Sequence, residues 1–96
     1  MPLVFEWDAR KAKVNQRKHR ISFDEASSVF DDILARIFPD EHHSNGEQRE
    51  ILIGHSILGR LLIVSFAERS RDRVRIISAR KATQREQKDY EETIDW

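Results

Sequence analysis

The chain is read as an α+β domain: a short N-terminal strand, two helices, a four-stranded antiparallel meander and a C-terminal helix. Three observations predict this. Two capping boxes, Ser22-Phe23-Asp24-Glu25 and Thr83-Gln84-Arg85-Glu86, mark helix starts. Between them lie β-rich runs joined by links too short for parallel crossovers, so neighbouring strands must run antiparallel. Finally, 96 residues without cysteine allow one domain, spanning 1–96, that stands on packing alone.

Leu3 to Trp7 reads as a strand, closed by Asp8, whose carboxylate suits the start of a helix at Ala9. On that helix Lys11, Asn15, Lys18 and His19 share one polar, basic face, and Ala12 supplies most of the apolar contact. The helix is therefore expected to be peripheral and held by few contacts. Ser22 opens the second helix, with the Glu25 carboxylate expected to reach back to its cap, and Phe23, Ala26, Val29 and Phe30 form a core-facing stripe ended by Asp31-Asp32.

Ile33 to Phe38 is expected as a strand stopped by Pro39, followed by a polar loop, residues 40–46, with an Asn45-Gly46 turn signal. Glu47 to Ile53 alternates, and Leu61 to Phe66 is nearly continuous in apolar residues, as a central strand should be. Gly59 turns the chain between these two runs. Ser70-Arg71-Asp72 is the next tight link and leads into a strand from Arg73 to Lys81. The second capping box then starts a helix reaching about Ile94.

Charge is segregated. Residues 9–20 carry six Lys/Arg and no acid, and residues 68–88 carry eight against three acids. Residues 24–50 hold eight acids against two arginines, and the last residues add four more acids, so 17 basic and 17 acidic groups cancel to a net charge of zero. Zero net charge argues against a general nucleic-acid coat protein, whereas segregation allows a focused anion site. No run approaches transmembrane length and the N-terminus has no signal-peptide pattern, so a cytoplasmic protein with no membrane partner is expected.

His19 lies between Lys18 and Arg20, and an imidazole in a cationic cluster suits a general base beside an anionic substrate. His42 and His43 adjoin acids, but adjacent side chains diverge and no spaced third ligand follows, so no metal site and no cofactor are expected. Arg49, Arg69 and Arg80 stand at strand starts or exits where a hairpin sheet could gather them, and guanidinium groups that converge bind phosphate bidentately. The plainer expectation is that each pairs with a nearby acid such as Glu47 or Glu86.

Phe5-x-Trp7-Asp8-x-x-Lys11-Ala12-x-x-Asn15-x-x-Lys18-His19, Ile21-x-Phe23-x-x-Ala26, Arg49-x-x-x-Ile53-Gly54, Gly59-Arg60, Glu68-Arg69 and Arg75-Ile76-Ile77-Ser78-Ala79-Arg80 resemble the BrnT toxins. The resemblance runs from about Phe5 to Tyr90. It implies a RelE-like fold and a metal-independent ribonuclease of a type II toxin–antitoxin pair, cleaving RNA by attack of a ribose 2′-hydroxyl. It also implies a cognate BrnA-like antitoxin, operator DNA reached only through that antitoxin, and a homodimer or a heterotetramer with it. On this reading His19, Arg69 and Arg80 are catalytic, and Lys11, Lys18 and Arg49 bind substrate. The alternative is a catalytically weak homologue acting as a binding module in a repressor complex. Relatives usually carry glycine after Lys-His, where this chain has Arg20; if that position is left-handed, arginine costs about 1 kcal/mol.

Overall fold

The computed structural model describes residues 3–41 and 47–94. The elements are β1 (Val4–Glu6), α1 (Ala9–His19), α2 (Phe23–Ser28), a 3-10 turn (Val29–Asp31), β2 (Arg36–Pro39), β3 (Arg49–His55), β4 (Leu61–Ser70), β5 (Arg73–Lys81) and α3 (Gln84–Ile94). β2 to β5 form the expected antiparallel meander. β1 adds to it: it pairs in parallel with β5 from Val4↔Arg73 to Glu6↔Arg75, giving a five-stranded sheet ordered β1-β5-β4-β3-β2. The Asn45-Gly46 turn and the His42-His43 pair lie outside the described residues.

One sheet face carries the core. Leu52, Leu62, Val64, Phe66, Val74, Ile76 and Ala79 pack against Ile21, Phe23, Ala26 and Val29 from the helices. An aromatic row, Phe5 to Phe30 and Phe30 to Phe66 with centroids 5.0 Å apart in each pair, ties β1 to the sheet centre through the 3-10 turn. Gly54 permits the close approach on this face, because a Cβ there would lie 2.8 Å from the Cβ of Ala35. α3 covers part of the other face, where Tyr90 is buried and donates its hydroxyl to the Leu34 carbonyl at 3.1 Å.

β2 begins three residues later than expected. Asp32 accounts for the difference: its carboxylate accepts from the Leu34 N–H at 3.0 Å and its carbonyl from the Ala35 N–H at 3.0 Å, so Ile33 and Leu34 are spent in a turn.

β5 contains a bulge. Ser65 pairs with Ser78 but Phe66 with Ile76, so Ile77 is an extra residue. Without it, Ile76 and Ala79, three apart, would point to opposite faces; with it, both are 1% exposed in the core.

α1 docks on that part of β5. β1 is only three residues long, so on that edge the upper half of β5 has no strand partner. Asn15 supplies the missing pairing: its side-chain amide donates to the Ala79 carbonyl at 2.9 Å and accepts from the Ala79 N–H at 3.0 Å. The same amide donates to the Ile21 carbonyl at 3.0 Å, and Asn15 is 6% exposed. The helix is peripheral, as expected, with Asn15 its one buried residue, but the polar face is the anchored one. Asp8 caps the helix as expected, accepting from the N–H groups of Arg10 and Lys11 at 2.8 and 3.1 Å. The helix ends on Arg20 in the left-handed conformation, φ 62°, the one non-glycine residue with positive φ among the described residues.

The two capping boxes differ. Thr83 and Glu86 exchange both bonds, at 2.8 and 3.1 Å. Ser22 accepts from the Glu25 N–H at 3.0 Å, but the Glu25 carboxylate does not return to the cap. It accepts instead from the Ser56 hydroxyl at 2.7 Å and from the Arg60 guanidinium, whose Nε lies at 2.9 Å. Glu25 is 6% exposed, and a carboxylate so enclosed requires a cationic partner, which the β3–β4 turn provides.

Asn15→Ala strands the N–H and C=O of Ala79 and the Ile21 carbonyl, and is expected to cost about 3 kcal/mol in urea unfolding. Arg20→Gly relieves the left-handed backbone and should raise stability by about 1 kcal/mol in the same assay. Glu86 is held at about 2, below its ordinary 4.5, chiefly by hydrogen bonds from Arg80. A depressed carboxyl pKa contributes stability above the unfolded value, lost as pH falls through the folded one. Wild type and Glu86→Gln should therefore differ in thermal midpoint at neutral pH and converge between pH 4.5 and about 2.

Candidate active site

The β5 bulge separates two grooves, and Ile77 and Ser78 line both. The first, about 340 Å³, lies between α1 and β5. Because Asn15 turns inward to clasp Ala79, its helical neighbours Lys11, Lys18 and His19 are brought to the groove wall, joined by Arg10 and Val14. No carboxylate lines it, so its field attracts anions. His19, at the helix end, is half-buried there.

The second groove, about 380 Å³, lies on the sheet face left uncovered by α3. Its floor follows from register. Ile51, Ser65 and Ser78 form one cross-strand row, and Ile63 and Arg80 the next. Asp40, just past the end of β2, and Arg49, the first residue of β3, close one end, the Asp40 N–H donating to the Arg49 carbonyl at 2.9 Å.

The six candidates therefore distribute unequally. Lys11, Lys18 and His19 share the first groove, and Arg49 and Arg80 share the second, one bulge away. Arg69 lines neither; at the far end of β4 its guanidinium binds the Glu47 carboxylate, which also lies 3.8 Å from Arg75. Arg80 is committed as well. It grips Glu86 with two nitrogens, at 2.8 and 2.9 Å, and this hydrogen bonding raises its own pKa. The expectation that arginines pair with nearby acids thus describes both Arg69 and Arg80. Any phosphate reaching Arg80 shares it with Glu86.

Arg10, Asn15, Asp40, Ser65 and Ser78 were not among the sequence candidates. Asn15 and Ser78 did stand in the motifs, without a role; in β5 the further trace is that the buried residues Val74, Ile76 and Ala79 break the period of two, and that break is the bulge. Asp40 was read as loop because it follows Pro39.

Elsewhere, an apolar groove of about 190 Å³ between α3 and β2 is lined by Arg36, Phe38, Ile53 and Tyr90. His55 lines neither of the two cationic grooves; its backbone N–H donates to Asp32 at 2.7 Å and its ring meets Tyr90 edge-on. Among the described residues no three His, Cys, Asp or Glu cluster as metal ligands, and no helix is long and apolar enough to cross a membrane.

The chain is similar to known proteins. No curated protein sequence matches it. The Brucella abortus ribonuclease toxin BrnT, solved by crystallography at 1.1 Å resolution, superposes with a TM-score of 0.65. The two are 24% identical, over 88% of this chain and 99% of that one, which shows a shared fold. The profile of the family described as the ribonuclease toxin BrnT of type II toxin–antitoxin systems matches residues 7–86, covering α1, the whole sheet except β1, and the start of α3. The chain belongs to the BrnT family of ribonuclease toxins.

Proposed function

We propose that this chain is an endoribonuclease toxin that cleaves RNA without a metal ion and is neutralised in the cytoplasm by a small cognate antitoxin. The observation that carries the reading is the shared wall: a groove lined by four basic residues including one imidazole and a groove lined by two arginines have Ile77 and Ser78 in common. A phosphodiester lying over the bulge has His19 on one side and Arg80 on the other.

The reaction that suits these groups is transesterification. The ribose 2′-oxygen attacks the adjacent phosphorus, its proton passes to a base, the P–O5′ bond breaks, and the leaving 5′-oxygen takes a proton. The products are a 2′,3′-cyclic phosphate and a 5′-hydroxyl. The attacking hydroxyl belongs to RNA and not to DNA, which sets the substrate class. His19 moves the proton as base or acid. Lys11, Lys18 and Arg10 hold the flanking phosphates, and Arg80 stabilises the charge that develops on the phosphoryl oxygens. Arg49 contacts the strand beyond. Arg69, paired with Glu47 outside both grooves, serves as an outer guanidinium. An acidic antitoxin segment complements the first groove, and DNA is reached through the antitoxin.

A second reading has its own support. Both Arg69 and Arg80 are already ion-paired, and Arg20 strains the turn beside His19, as in a homologue that binds antitoxin without cutting RNA. Purified protein alone decides between them. Single-stranded RNA incubated in EDTA should be degraded, with cyclic phosphate ends. His19→Ala should slow this by about a hundredfold or more, with its unfolding midpoint unchanged. Intact RNA with normal antitoxin binding would instead establish the binding module.

A further inference from the structure

We propose that the solvent face of α1 is a phosphate track for single-stranded RNA, with Arg10 at the rim of the α1–β5 groove and Lys13 and Arg17 beyond it. This rests on the ribonuclease reading above and deepens it: the substrate is a strand several nucleotides longer than the pair flanking the cut, held by its backbone whatever its sequence.

The Asn15 clasp fixes where these side chains go. Lys13 and Arg17 each lie two positions from Asn15, about 200° round the helix from it. Asn15 is anchored on β5, so both face solvent and both are exposed. Arg10 stands three positions before Lys13 and seven before Arg17, which puts the three on one stripe. Around the helix axis the order is His19, then Lys11 and Lys18, then Val14, Arg10, Arg17 and Lys13. The cations thus continue from the groove wall over its lip, with Arg10 common to both.

These charges have no use within the fold. Among the described residues no salt bridge reaches any of the six cations between Ala9 and Arg20, whereas Arg60, Arg69, Arg73 and Arg80 of the sheet and its turns are all paired. Asp8, the cap residue, is engaged by the backbone N–H groups of Arg10 and Lys11 and forms no salt bridge with their side chains. The helix itself is weakened by the arrangement. Its first turn carries Arg10 and Lys11 and no acid, against the dipole, and Lys13 repels Arg17 one turn away. A polyanion outside the chain relieves both.

The face suits a phosphate backbone better than a protein. Val14 is the one large apolar side chain exposed on α1, and a protein interface needs an apolar or aromatic centre. Phosphates need none, and they fix a strand without reading its bases.

The test uses the intact chain and 2′-O-methyl oligouridylates, a trinucleotide and a dodecanucleotide, which 2′-oxygen attack cannot cut. The wild type should favour the longer strand, and that affinity should fall about a hundredfold between 50 and 200 mM salt, as about five phosphate contacts require. In Lys13→Gln/Arg17→Gln the same rise in salt should cost only about twentyfold, and the advantage of the longer strand should shrink about tenfold. Arg71→Gln/Lys88→Gln, which removes equal charge from exposed positions in the β4–β5 turn and on α3, should keep the wild-type salt dependence. Circular dichroism should be the same for all three. Equal losses in both variants make net charge responsible and overturn the track, as does a dodecanucleotide that binds no better than the trinucleotide. A polyglutamate peptide that binds as tightly, with the same loss on Lys13→Gln/Arg17→Gln, assigns the row to an acidic protein segment and also overturns it. Length-dependent binding weakened by the α1 variant alone, with unmodified RNA left uncut, upholds the track and removes the ribonuclease reading instead.

Discussion

The clasp between the Asn15 amide and both backbone groups of Ala79 is the contact on which the rest of the arrangement turns. A primary amide carries a donor and an acceptor in the spacing of a peptide unit, so one side chain imitates a strand where β1 has run out. That substitution fixes the position of α1 along β5. It thereby decides which helical residues overlook the bulge, and it does so at a buried site where a mismatched group would leave three backbone partners unsatisfied. The basic face of the helix is held by its least basic member.

Electrostatics follows from the same placement. The net charge is zero, yet the acids do not spread evenly over the cations. Glu47, Glu86, Glu6 and Glu25 each neutralise an arginine of the sheet or its turns, while Lys11 and Lys18 of α1 face a groove with no carboxylate on its walls. Lysines are compact, hydrated charges that a phosphate can recruit, whereas arginines in bidentate pairs are geometrically committed. The fold thus sets ion-paired arginines of the sheet apart from the α1 cations Arg10, Lys11 and Lys18 that line the groove, and the paired Arg80 lines the groove next to theirs.

Most of the architecture was legible in the chain itself. Capping residues at Asp8, Ser22 and Thr83 and the apolar runs from Leu61 and Arg73 marked element types and order, because local hydrogen bonding and periodicity act within a few residues. The parallel pairing of β1 was not legible, since it joins segments far apart in sequence with nothing in a three-residue strand to name its partner. The return bond expected of Glu25 failed for the same reason: Arg60, 35 residues away, outcompetes a local N–H for the carboxylate. At the candidate site, residue types were readable from the Lys-His and Ser-Ala-Arg segments. Their grouping depended on the bulge, which divides the arginines and sets Arg69 apart.

The sheet edge has a bearing on synthesis. Asn15 waits for a partner 64 residues downstream, and β1 for a strand that begins at Arg73. A nascent polypeptide that ends short of that strand has no edge for its first helix to grip and no bulge to separate two grooves. Contacts of such long range form late and slowly. A truncated translation product consequently lacks both grooves, because the strand that divides them is among the last parts of the chain to emerge.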